Sequence, residues 1–302
     1  MGKTAAILIA TLLLVPLLAF KFDHPLTAEQ LALLKSVTKL MLVIALTCFV
    51  VGEITGNVSQ TDKLWSITPV IYAWFLTARA GMDPRMVLMS IVATVWGVRL
   101  TYNFSRHGGY SWKFWTGHED YRWAIVRKKP GLDTRLGWTL FHFFFICLYQ
   151  HALLLLITLP ILAVVAAPSP LGIWDWVLAA LYVGLVIFET VADQQQWNFQ
   201  AEKKRQAAAG KLEGRYARGF IAEGLWSRAR HPNYFAEQSI WVVFFLFSIA
   251  ATGRPNWSAA GCLLLILLFQ GSANLKESVC AGKYPEYPDY VKRTPRFLPR
   301  LF

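Results

Sequence analysis

The chain has 302 residues, 55% of them hydrophobic and only 16% charged, which is too apolar for an ordinary soluble domain of this length. Its net charge of +12 would suit nucleic acid, but the basic residues sit in short segments between apolar runs, as they do in the cytoplasmic loops of a membrane protein, so no nucleic-acid partner is expected. The four cysteines, Cys48, Cys147, Cys262 and Cys280, form no CxxC pair, so neither a metal site nor a disulfide framework is expected.

A hydrocarbon core about 30 Å thick takes roughly 20 helical residues to cross. That ruler predicts an all-α integral membrane bundle of about seven to eight transmembrane helices, near 4–21, 37–52, 65–80, 85–104, 137–164, 172–192, 235–252 and 257–275. The first run, AAILIATLLLVPLLAF, is closed by no small-x-small cleavage site and reads as a retained helix rather than a signal peptide. Ala6 stands where a myristoylation motif beginning at Gly2 needs Ser or Thr, so no lipidation is expected. With no internal repeat, low-complexity tract or long linker, residues 1–302 read as a single membrane domain.

Three polar segments, 105–135, 193–232 and Lys276 to the C-terminus, carry more Lys and Arg than Asp and Glu. The positive-inside rule puts all three in the cytoplasm. Two spans between each pair agree with that, and the N-terminus is then cytoplasmic too. Arg79 and Arg85 fall on the outer side against the rule.

The first polar segment begins in WGVRLTYNFSRHGGYSWKFWTGHEDYRW, which sets Asn103, Arg106, Tyr110, Arg122 and other polar residues among aromatics. Arg offers a planar fork for phosphate, Asn and Tyr directional hydrogen bonds, and Gly108-Gly109 a close backbone approach. A solvated loop touching lipid headgroups is the alternative. The sixth span ends FETVADQQQWNFQ, where Glu189 and Asp193 share a helix face, and carboxylates at membrane depth are costly unless they meet a cavity or partner. In SRARHPNYFAEQSIW, Pro232 suits a first helical turn, with Asn233 and Glu237 one turn apart. Arg230, His231 and Tyr234 ring the same helix N-terminus, whose N–H groups and dipole favour phosphate; interfacial capping is the structural alternative. The tail YPEYPDYVKRTPRFLPRLF has too many prolines for a long helix and either folds over a ligand or simply ends the chain.

WGVRL, EDYRW, ADQQQ, SRARHPNYFAEQSIW and YPEYPDYVKRTPRFLPR together resemble the steroid 5-alpha-reductase-like family, in its DUF1295 branch, over roughly residues 60–302, with 1–60 outside the match. The resemblance implies a bundle of about seven helices holding NADPH in a cytoplasm-facing cavity. It implies cofactor contacts for Asn103, Arg106, Asp193, Asn233, Glu237 and Tyr290, to which Arg230, His231 and Tyr234 are added on their chemistry. Aligning the family's substrate-polarising Glu with DKLWSITP puts Asp62 at that position, as donor or its orienter, and Trp96 near the partner Tyr. Tryptophan cannot act as that hydroxyl acid, which leaves Tyr72 and Tyr102 as substitutes. Asp62 is alternatively the N-cap of the short third helix.

The implied reaction is hydride transfer from NADPH to an activated carbon-carbon double bond of a lipid or steroid-like molecule entering from the bilayer of a bacterial inner membrane or the endoplasmic reticulum. Two rivals remain. RHPxY also occurs in isoprenylcysteine-type methyltransferases that use S-adenosylmethionine, a cofactor that gives Arg99, Arg106 and Arg122 no phosphate to bind. A non-catalytic sterol-binding or scaffold protein is the other, fed by Trp96.

Overall fold

The computed structural model describes residues 2–300; Met1, Leu301 and Phe302 lie outside the described residues, the last two being the end of the expected tail. The helices are α1 (Gly2–Lys21), α2 (Ala28–Thr55), α3 (Gln60–Leu64), α4 (Thr68–Arg79), α5 (Pro84–Arg106), α6 (Tyr121–Arg127), α7 (Arg135–Val164), α8 (Ile173–Ala208), α9 (Gly214–Ala217), α10 (Leu225–Arg228), α11 (Pro232–Thr252), α12 (Ala259–Lys283) and α13 (Tyr287–Arg293). No strand occurs among the described residues. Six of these helices, α2, α5, α7, α8, α11 and α12, are long and apolar enough to cross a membrane, and the chain is an integral membrane protein of the all-α class.

Three boundaries differ from expectation for local reasons. α2 starts nine residues before the apolar window because Thr27 and Gln30 form a capping box, each side chain bonding the other's backbone N–H. α4 has 12 residues, about 18 Å of helix, too short to cross the hydrocarbon core alone. α8 runs 36 residues to Ala208, turning much of the expected 193–232 loop into helix. Its second half, QQQWNFQAEKKRQAA, consists mostly of good helix formers, and no Gly or Pro interrupts it before Gly210 at φ 68°.

The chain forms two compact units, Met1–Val183 with Trp241–Leu265, and Gly184–Ile240 with Ile266–Phe302, so α8, α11 and α12 each contribute to both. In the first unit α4 packs against α5 and the second half of α7, and α2 packs along α7. Trp96 meets Trp241 edge-on at 4.8 Å in this core. Gly261 lets α12 touch the backbone of α7: a Cβ there would come 2.5 Å from Ile157 N and closer still to the Leu156 carbonyl. Within α7, residues His142–Tyr149 are π-helical, a widened turn common near functional sites. Gly52 makes room there for the buried His142 ring, whose Nδ1 lies 2.6 Å from Glu53 Oε1. Arg85, an outer-side violation in the sequence, is only 3% exposed and pairs with Asp175 through two bonds of 2.6 and 2.9 Å. Its other donors reach Ser169 Oγ and the Pro170 carbonyl.

In the second unit the tail lies on the RHPN stretch. Arg230 and His231 donate backbone N–H bonds to the Pro295 and Arg296 carbonyls at 2.8 and 3.0 Å, and Arg300 N–H returns to Arg228 O. The tail therefore folds back and does not simply end the chain. Among the described residues of the tail the one helix is the seven-residue α13.

Candidate functional site

In the first unit Asp62 lies in the first turn of α3, whose N-cap position is Ser59, and α4 begins only at Thr68, so Asp62 caps neither helix. Instead Trp123 Nε1 donates to Asp62 Oδ2 at 2.7 Å. Arg122 Nη2 stands 3.8 Å from Asp62 Oδ1 while making a bidentate pair with Asp120. Burial pushes the Asp62 carboxyl above the usual carboxylate range; Arg122 opposes this, Asp120 adds to it, and the Trp123 and Ser59 hydrogen bonds pull it down. A carboxyl in that balance favours its protonated form more than an exposed one does.

Tyr72 on α4 is fully buried, and its hydroxyl has no well-formed hydrogen bond among the described residues, because the Thr68 hydroxyl one turn earlier is turned to the Leu64 carbonyl. Tyr102 is 67% exposed and lines an open groove of about 480 Å³ on α5 with Thr94, Val95, Val98 and Arg99. Asn103 accepts from Arg106 Nε at 2.9 Å, and the Arg106 guanidinium lies 5.8 Å from the Tyr102 ring. These two expected cofactor residues are thus brought together at the end of α5.

The second unit joins two more of the expected residues: Asn233 Nδ2 donates to Asp193 Oδ1 at 3.1 Å. The Asn233 side chain also accepts the Tyr234 N–H, and the Phe235 N–H bonds the His231 carbonyl, so much of the α11 N-terminus is capped from within. Glu237, one turn on, is 5% exposed, and Glu189 on α8 is 4% exposed. One turn beyond Asp193, the Gln196 Oε1 atom is buried with no hydrogen-bond partner among the described residues.

Arg230 and His231 converge on a residue absent from the sequence reading. Glu277 Oε1 accepts from Arg230 Nε at 2.8 Å and lies 3.0 Å from His231 Nε2, and Glu277 Oε2 accepts from Arg296 at 2.8 Å. Arg230 Nη1 further binds the Val291 and Thr294 carbonyls. These donors hold the tail. Burial lowers the His231 pKa despite its contact with Glu277. Tyr234 stacks on His231 and takes Lys276 Nζ over its ring at 4.6 Å. Tyr290, 2% exposed, donates to the Trp226 carbonyl, which fixes α13, and burial raises its pKa.

Trp123 and Glu277 are the site residues that sequence reasoning missed, whereas three-to-four spacing in FETVADQQQW already sets Gln196 or Trp197 on the face of Glu189 and Asp193. A signal existed for Glu277 as a lone acid in the basic stretch LKESVCAGK, and for Trp123 as the last letter of EDYRW. Neither reveals a partner far away in the chain. No group of three or more His, Cys, Asp and Glu side chains suited to a metal ion occurs among the described residues.

Residues 48–294 match the family described as "Protein of unknown function (DUF1295)". The uncharacterized protein C594.04c of Schizosaccharomyces pombe is 36% identical over 277 residues, covering 85% of this chain and 78% of that protein. The nickel-cobalt-cadmium resistance protein NccN of Alcaligenes xylosoxydans xylosoxydans is 25% identical over 162 residues, covering 45% and 72% respectively. No solved structure matches the chain significantly.

Proposed function

Since this chain belongs to the DUF1295 family, the steroid 5-alpha-reductase-like branch, we propose that it is a membrane-embedded NADPH-dependent reductase of an activated carbon-carbon double bond in a lipid or steroid-like molecule. The observation that carries the cofactor half of this reading is the hydrogen-bonded Asp193–Asn233 pair with the buried, unpartnered Gln196 Oε1 one turn on. A buried acceptor that the fold leaves unused costs about 1–3 kcal/mol unless a water or a ligand supplies a donor. Ribose hydroxyls and a carboxamide N–H₂ are such donors. The unused acceptor therefore fits the ribose and carboxamide parts of the group.

Bound NADPH would supply the hydride; the chain's own residues supply the rest. Asp62 holds a proton on its carboxyl, burial favouring that form, and donates it as a hydrogen bond to the substrate carbonyl oxygen where negative charge develops. Trp123 fixes Oδ2 and thereby orients the carboxyl. Tyr72, whose buried hydroxyl has no well-formed bond, is the second donor that Trp96 cannot be. The burial of both side chains keeps water from the developing enolate.

Calorimetric titration of the detergent-purified protein with NADPH, NADH and S-adenosylmethionine, beside mass spectrometry of any co-purified nucleotide, tests the reading. NADPH should bind more tightly than NADH. Binding of S-adenosylmethionine alone would make the protein a methyltransferase, and binding of none of the three would leave the scaffold reading.

A further inference from the structure

The segment Tyr110–Gly117 is an exposed loop with an unusually fixed backbone. Four successive carbonyls, those of Phe114, Trp115, Thr116 and Gly117, are all bound by residues at or just before α3. Lys63 Nζ donates to Phe114 O at 3.1 Å and Thr116 O at 2.7 Å, Gln60 Nε2 to Trp115 O at 3.0 Å, and Asn57 Nδ2 to Gly117 O at 3.1 Å. Tyr110 closes the clamp by donating its hydroxyl to Lys63 O at 2.6 Å. Lys63 is itself fully buried, burial lowers its pKa, and its ammonium directs two donors to the loop carbonyls and the third to Gln60 Oε1 at 3.3 Å.

With the carbonyls turned inward, the side chains point out: Trp112 is fully exposed, Trp115 51% and Phe114 46% exposed. Holding a loop in one geometry costs chain entropy, and here the ordering presents aromatic rings to the surroundings instead of burying them. The loop lies where two membrane-spanning helices end. It follows Arg106, the last residue of α5, and it is tied to Asn57, just past the end of α2. Tryptophan and other amphipathic rings concentrate at that level of a bilayer. Residues 105–135 carry seven Lys and Arg (Arg106, Lys113, Arg122, Arg127, Lys128, Lys129, Arg135) against Glu119, Asp120 and Asp133, which suits anionic headgroups.

We propose that Trp112, Phe114 and Trp115 form a preset wedge that seats in the lipid headgroup layer, with Lys113 between them against lipid phosphate and buried Lys63 as the clamp that holds the wedge in shape. This assigns the loop to the bilayer and not to a nucleotide or a second protein. It does not depend on the reductase reading.

The test places a nitroxide on Lys113→Cys, between the rings and leaving them and the Ser111 and Lys63 hydrogen bonds in place, in a Cys280→Ser background so that the remaining cysteines are the buried ones. Collision rates with oxygen and with a water-soluble nickel chelate are read in vesicles of phosphatidylcholine and phosphatidylglycerol, with Lys211→Cys as the aqueous reference. The expected result is an oxygen-to-nickel ratio several-fold above the reference, falling to the reference value when Trp112, Phe114 and Trp115 are all changed to Ser. A water-like ratio with the rings intact overturns the proposal. So does a label reached by neither reagent, which would mean that protein covers the loop, or a ratio that the triple change leaves as it was.

Discussion

Replacing Gly261 by alanine should destabilise the protein by about 2 kcal/mol, although it adds only one methyl group to a helix. The added Cβ would stand 2.5 Å from Ile157 N and nearer to the Leu156 carbonyl, where ordinary contacts need about 3.5–4.0 Å. Every obstructing atom is backbone, so no side chain can rotate away, and α7 and α12 must separate by about 1 Å. Overpacking of this kind costs about 1–3 kcal/mol, from which the better helix propensity of alanine recovers at most about 1 kcal/mol. Gly184→Ala is the matched control: nothing lies within 4 Å of its Cβ position, so only the propensity gain remains. Thermal unfolding in detergent can be followed with a thiol-reactive dye, because Cys48, Cys147 and Cys262 are at most 5% exposed; Cys280 is first changed to Ser. Gly261→Ala should lower the midpoint by roughly 4–8 °C and Gly184→Ala should leave or slightly raise it. A Gly261→Ala protein melting with the parent would show that the helix contact is not as close as described.

Asp62→Asn should cut turnover about 100-fold or more while leaving NADPH affinity unchanged, and a fully active variant would remove Asp62 from the mechanism. Trp123→Phe deletes a hydrogen bond that favours the carboxylate, so the Asp62 pKa rises further; activity that needs the protonated acid should then persist to higher pH, which a pH–rate profile reads directly. Asn233→Ala should weaken NADPH binding, about 1–3 kcal/mol by calorimetry, if the Asp193 pair orients a cofactor contact. Glu277→Gln leaves Arg230 and Arg296 without their shared carboxylate, a loss of about 3 kcal/mol, and trypsin should then cut at Arg293 and Arg296 faster than in the parent. His231 is held below its usual pKa, so the unfolded chain binds its proton first; stability should fall as pH drops below about 6.5 until the folded His231 also protonates, and His231→Gln should flatten that part of the curve.

Apolar runs of about 20 residues made most of the membrane-spanning helices legible, and Pro232 marked the start of α11 correctly because a missing N–H costs nothing in a first turn. α8 outran its apolar run because composition sets where a helix is buried, while helix formers such as those of QAEKKRQAA decide where it stops. The RHPN stretch shows the limit of charge reading. Arg230 and His231 look like an anion site until Glu277, 47 and 46 residues away, is seen to take their donors. Asp62 was legible as a carboxyl at the edge of an apolar segment, but the indole that orients it lies 61 residues further on, a pairing only the fold brings about.

The Arg85–Asp175 pair bears on how the chain is made. Its members are 90 residues apart, and at about 5–20 residues per second Arg85 leaves the ribosome roughly 5–20 s before its counter-ion exists. Throughout that interval the start of α5 carries a bare guanidinium, which resists burial in the bundle, so α5 is expected to lodge provisionally at the membrane edge. Synthesis of the first turn of α8 supplies the carboxylate that lets it settle. An Asp175→Asn chain should therefore mature slowly, and nascent chains truncated before residue 175 should show α5 still open to water-soluble reagents.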